Sequence, residues 1–139
     1  MKVGVFAVMF SAMPFEKTLD YIRLVGVEAV EIGCGGYVGD AHCKPAQLLH
    51  DAAAAAAFKQ AVDDRGLTIS ALSAHANPLH PKPEIGEAHR AYVNNAILMA
   101  EKIGVDTVVT FSGREGFEKA VSFLREIVIR EPAGAAHWA

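Results

Sequence analysis

Ile69-Ser70-Ala71-Leu72-Ser73-Ala74-His75-Ala76-Asn77-Pro78-Leu79-His80-Pro81 is the stretch from which the fold is read. It begins as an apolar run and ends in polar residues. Pro78 and Pro81 stop a strand from continuing, because proline brings no N–H to a sheet ladder. A strand therefore runs over residues 67–74 and gives way to a loop that carries His75, Asn77 and His80. In parallel α/β folds the carboxyl ends of strands are where ligands bind.

Working outward, the same plan recurs. Glycines 26, 66 and 104 each precede a turn into a β-rich run: Val27-Glu28-Ala29-Val30-Glu31, Leu67-Thr68-Ile69-Ser70 and Val105-Asp106-Thr107-Val108. The spacings, 66 − 26 = 40 and 104 − 66 = 38, mark a repeated βα unit. Strands are expected over 3–9, 28–32, 67–74 and 105–111. Their near-continuous apolarity suits strands of a parallel sheet. Right-handed crossovers put the helices outside.

The helices follow from spacing. Phe15, Leu19, Ile22 and Val25 form one apolar face after Pro14, with Gly26 as the stop. A second helix starts at about Pro45 or Asp51 and runs to Arg65, through six consecutive alanines at 52–57. A third starts at Pro83, with Ile85, Ala88, Tyr92, Ala96, Met99 and Ile103 on one side. A fourth is expected over 116–129, and residues 130–139 as an irregular tail. The loop at 33–39 holds four glycines in seven residues. It is either mobile or brings the backbone close to something. It matches neither Gly-x-Gly-x-x-Gly nor a phosphate-binding loop.

With 139 residues, 52% hydrophobic and 21% charged, the chain has the composition of one globular domain. The net charge of −3 offers no basic face for nucleic acid. No apolar run reaches the roughly 20 residues of a membrane helix, and no secretory leader is read at Met1. Cys34 and Cys43 are expected to be free thiols of a cytoplasmic protein rather than a disulfide.

Candidate site residues come from strand ends and from polar residues inside apolar strands. His75 offers an imidazole for a ligand hydroxyl or a metal, against a plain bond to a backbone carbonyl. Glu31 sits inside a strand where a carboxylate is costly unless it is paired or faces a polar cavity. Asn77 and Ser112 are hydrogen-bonding groups at strand ends, with turn or cap roles as the alternative. His80, on the loop, is weighed against simple solvation, as is His42. His50, His89 and His137 read as surface residues. Glu31, His42, His75 and His80 are the one polar cluster that the fold could draw together, but none of them lies in a local metal-ligand motif such as His-Glu-x-x-His.

Met1-Lys2-Val3-Gly4-Val5-Phe6, Gly26-Val27-Glu28-Ala29-Val30-Glu31-Ile32-Gly33, the His75–Pro81 loop and Gly104-Val105-Asp106-Thr107-Val108-Val109-Thr110-Phe111-Ser112-Gly113 together resemble the sugar phosphate isomerase/epimerase family, whose fold is the xylose-isomerase-like (βα)₈ TIM barrel. The resemblance covers residues 1–113. A whole barrel takes about 250 residues. The expectation is therefore a parallel (βα)₄ half-barrel over residues 1–129, four strands with four outer helices, in a truncated form of the family's chain. The resemblance implies a sugar or sugar phosphate as small-molecule substrate. It also implies a divalent metal in the full-length protein, and metal-assisted proton transfer next to a sugar carbonyl. Glu31, His75, Asn77, His80 and Ser112 would contact substrate. The metal ligands and catalytic glutamates would lie on later strands. Two alternatives stand beside it: a zinc-dependent phosphodiesterase of the endonuclease type, and a non-catalytic half-barrel. Against the first, loops 34–44 and 75–84 carry only Lys44 and Lys82 as cations. Open sheet edges would favour self-association.

Overall fold

The computed structural model describes residues 2–113. Four parallel strands form one sheet in the order β1-β2-β3-β4: Gly4–Phe6, Ala29–Gly36, Thr68–His75 and Val108–Thr110. The helices are α1 (Phe15–Leu24), α2 (Pro45–Leu48), α3 (Ala52–Asp63) and α4 (Pro83–Ile103). The architecture is α/β, with each strand-to-strand connection passing through helix. The expected helix at 116–129 and tail at 130–139 lie outside the described residues.

The first strand is shorter than the apolar run that predicts it. After Phe6 the chain winds into a 3-10 turn at Ala7–Phe10. Ser11 N–H donates to Val8 O, and Met13 N–H to Phe10 O. Apolarity over a short run does not by itself separate strand from helical turn. The second strand is longer than expected, because it absorbs the first glycines of the 33–39 loop. Its pairing with β3 slips twice, between Val30 and Glu31 and between Gly33 and Gly35. Such bulges bend a strand and re-aim its side chains.

Gly26 ends α1 at φ 81°, with Val27 N–H bonded back to Ile22 O. On α1 the buried positions are Thr18, Leu19 and Ile22, while Val25 lies past the helix end and is exposed. The second helix divides in two. Asp51 caps α3, its Oδ1 accepting from Ala54 N–H at 2.9 Å, and so separates α3 from α2. On α4 the buried stripe is Gly86, Val93, Ala96, Met99, Ala100 and Ile103. Ala88 and Tyr92, expected inside, are exposed. Gly86 explains the rotation. A side chain there would come within 3.3 Å of the Pro78 and His80 carbonyls, so this face of α4 can lie against the loop.

The main core lies between the helices and one face of the sheet. It includes Leu19, Ile22, Val30, Ile32, Val62, Leu72, Ala96 and Met99. Strand alternation turns Phe6, Glu31, Ser73 and His75 toward the other face. No helix among the described residues is long and apolar enough to cross a membrane.

Candidate functional site

His75 is the last residue of β3, as the sequence predicts. Phe111 stacks on its ring at 4.8 Å and 18°, and Phe6 meets it edge-on at 5.8 Å. Aromatic neighbours, and no backbone carbonyl among the described residues, hold this imidazole. His75 itself is half-buried.

Glu31 lies deeper on the same face, half-buried in β2. The Ser73 hydroxyl donates to its Oε1. No lysine or arginine among the described residues pairs with it, so a neutral hydroxyl, not an ion pair, accommodates the carboxylate. Behind them Cys34 Sγ donates to Ser73 O at 3.4 Å. Burial, with Asp40 nearby, pushes the Cys34 thiol up to about 12. Burial also pushes the Cys43 thiol up, with Cys34 and Asp40 adding to it. Both thiols are free and buried.

Above the strand ends a cavity of about 490 Å³ is lined by Tyr37, Asn77, Thr110, Phe111, Ser112 and Gly113. That volume is in the usual range for small-molecule sites, roughly 300–1,000 Å³. The lining side chains among the described residues are uncharged. Two of the five sequence candidates, Asn77 and Ser112, form part of it. His75 adjoins it through Phe111. Asn77 is set by its own loop, where Oδ1 accepts from Leu79 N–H at 3.2 Å. His80 is turned away: its Nδ1 accepts from Lys82 N–H at 3.1 Å, at the start of α4.

The 33–39 loop resolves its two readings in favour of close approach. A side chain on Gly35 would strike the Tyr92 ring at 2.8 Å. One on Gly36, at φ 72°, would collide with the His75 carbonyl. This proximity lets Tyr37 N–H donate to His75 O at 2.7 Å and delivers the Tyr37 ring to the cavity.

Two residues are unforeseen. Tyr37 was hidden in a glycine loop, although an aromatic side chain in such company is a usable signal. His89, expected at the surface, is half-buried. It accepts the Asn77 N–H on Nδ1 at 2.8 Å and meets the edge of Tyr37 at 5.1 Å. Nothing local in the sequence announces that contact, which joins positions 12 apart. His42 likewise is not simply solvated, since its Nε2–H donates to Met13 O at 2.9 Å beside Thr18. The expected cluster of Glu31, His42, His75 and His80 is not drawn together. Among the described residues no group of three or more histidines, cysteines or carboxylates could hold a metal ion.

The cavity lies at the carboxyl end of a parallel sheet. A family model described as xylose isomerase-like TIM barrel matches residues 19–131. A curated relative, the uncharacterized protein YfiH of Bacillus subtilis (strain 168), is 32% identical over 101 residues. That alignment covers 73% of this chain and 32% of the relative, so the chain spans about a third of the relative's length. The parallel strands, the helices laid on one face and the match over most of the sequence give the assignment: the chain belongs to the xylose isomerase-like TIM barrel family.

Proposed function

We propose that this chain forms the sugar-binding arc of a cytoplasmic isomerase or epimerase barrel, which moves a proton to and from the carbon next to a sugar carbonyl. The observation that carries this reading is the inward face of the sheet. Glu31, Ser73 and His75 share it, and no cation among the described residues neutralises the carboxylate. A partly buried carboxylate without a counter-charge is held by hydroxyl donors, which a sugar also offers. Ser73 occupies one carboxylate oxygen and leaves the other to accept from a substrate hydroxyl. His75 presents ring nitrogens, and Asn77 and Ser112 present hydrogen-bonding groups at the rim. The uncharged lining among the described residues favours a sugar over a phosphodiester. Two buried free thiols accord with a reducing compartment.

The divalent metal that the family implies finds no set of three ligands among the described residues. Glu31, Ser73, His75, Asn77 and Ser112 bind and orient the sugar, and none of them acts through a metal in this reading. A second arc of strands would complete the barrel and supply the metal ligands and the carboxylates that move the proton.

The test is deuterium uptake from heavy water into the C–H next to the carbonyl, over a panel of ketoses and aldoses, with divalent metals added. Uptake with at least one sugar, lowered about 10²-fold or more in Glu31→Gln and in His75→Ala, is the expected result. No uptake from any sugar, or full uptake in both variants, would sink the proposal.

A further inference from the structure

We propose that Tyr37 and Phe111 form a one-sided aromatic ledge that takes the C–H face of a sugar in its pyranose ring form. This rests on the sugar reading above and specifies which form of the sugar the site selects. Tyr37 is 64% exposed and Phe111 49% exposed, although both are large and apolar. Their ring centroids are 6.4 Å apart and their planes tilt by 34°. A slot that sandwiches a ring needs parallel walls about 7 Å apart, twice the carbon contact distance. These walls are closer than that and not parallel. The pair is therefore a ledge, and a ligand lies across it on one side.

The ledge is held before any ligand arrives. Phe111 is stacked on His75, which Phe6 braces. Tyr37 is fixed through its N–H on His75 O and by the edge of His89. Preset aromatic walls spare the ligand the cost of ordering them. Asn77, Thr110 and Ser112 line the same cavity, so an apolar wall and hydrogen-bonding groups face one space. A pyranose matches this division. One ring face gathers C–H groups, while hydroxyls project from the rim. An open-chain polyol scatters hydroxyls along its length and must freeze several torsions to lie flat, which costs it affinity.

Saturation-transfer NMR on the 139-residue chain tests this, with matched pairs of methyl pyranosides, which cannot open, and alditols, which cannot close. Saturating the protein's aromatic protons should label C–H protons of one face of at least one pyranoside. The labelling should fall about threefold or more in Tyr37→Leu and in Phe111→Leu. Tyr37→Phe, which keeps the ring, should retain it. Alditols should stay near background. Equal labelling of alditols, unchanged labelling in both leucine variants, or no labelling of any pyranoside would overturn the ledge. Neither ligand class has a carbonyl, so the result stands apart from the proton-transfer reaction. Uptake of deuterium without pyranoside binding removes the ledge alone. Pyranoside binding without deuterium uptake removes the reaction alone.

Discussion

Cys34 shows how burial fixes the chemistry of a single residue. Its thiol ionises near 9.0 when exposed and only at about 12 in the fold. Between those values the unfolded chain gives up a proton that the folded chain keeps. The stability tied to this thiol is therefore complete below about pH 9 and is lost as pH rises toward about 12. Urea midpoints followed from about pH 8 to about pH 10.5 should fall more steeply for the native chain than for Cys34→Ala, and parallel profiles would contradict the account. At this scale the sequence was informative where a residue's position alone carried the meaning. His75, Asn77 and Ser112 stand at strand ends, and strand ends can be read from proline and glycine punctuation. Tyr37 and His89 became site residues only through partners on other elements, which no local pattern encodes.

Among the elements, helix limits were the most legible. Gly26 and Gly104 stop helices, Pro83 opens one, and Asp51 caps another, each by a local backbone rule. Strand lengths were less so, since pairing depends on what the neighbouring strand offers. The β2 end is the clearest case: the glycines read as a loop, yet they extend the strand because only residues without a side chain fit beneath His75 and Tyr92. Gly36→Ala puts a methyl against the His75 carbonyl at a φ that favours glycine. It should destabilise the fold by about 3 kcal/mol or more. A urea-unfolding midpoint equal to that of the native chain would refute this. The same substitution at Gly39, where nothing lies within 4 Å, should cost only its backbone strain.

For the whole molecule, the repeated βα unit made the fold class readable, because a spacing of 38 to 40 residues survives errors in any single boundary. Closure of the sheet was not readable in the same way. Among the described residues β1 pairs only with β2. In the first 25 residues Val3, Met9, Leu24 and Val25 are exposed, Leu24 to 82%. Exposed apolar side chains and a strand edge with no described neighbour each invite a partner. Sedimentation velocity of the 139-residue chain at micromolar concentration should show a dimer or larger species, and Leu24→Glu should shift it toward monomer. A monomer for the native chain throughout that range would refute self-association through this edge.

The bond from the Asn77 amide to His89 settles a question of tautomers. A backbone N–H can only donate, so Nδ1 must be the bare nitrogen of the ring. In the neutral imidazole the hydrogen is thereby consigned to Nε2. Whatever meets the far edge of that ring meets a donor, and a ligand atom placed there has to be a lone pair. Nitrogen-15 shifts of the two ring positions would display that asymmetry directly, as one pyrrole-type and one pyridine-type signal.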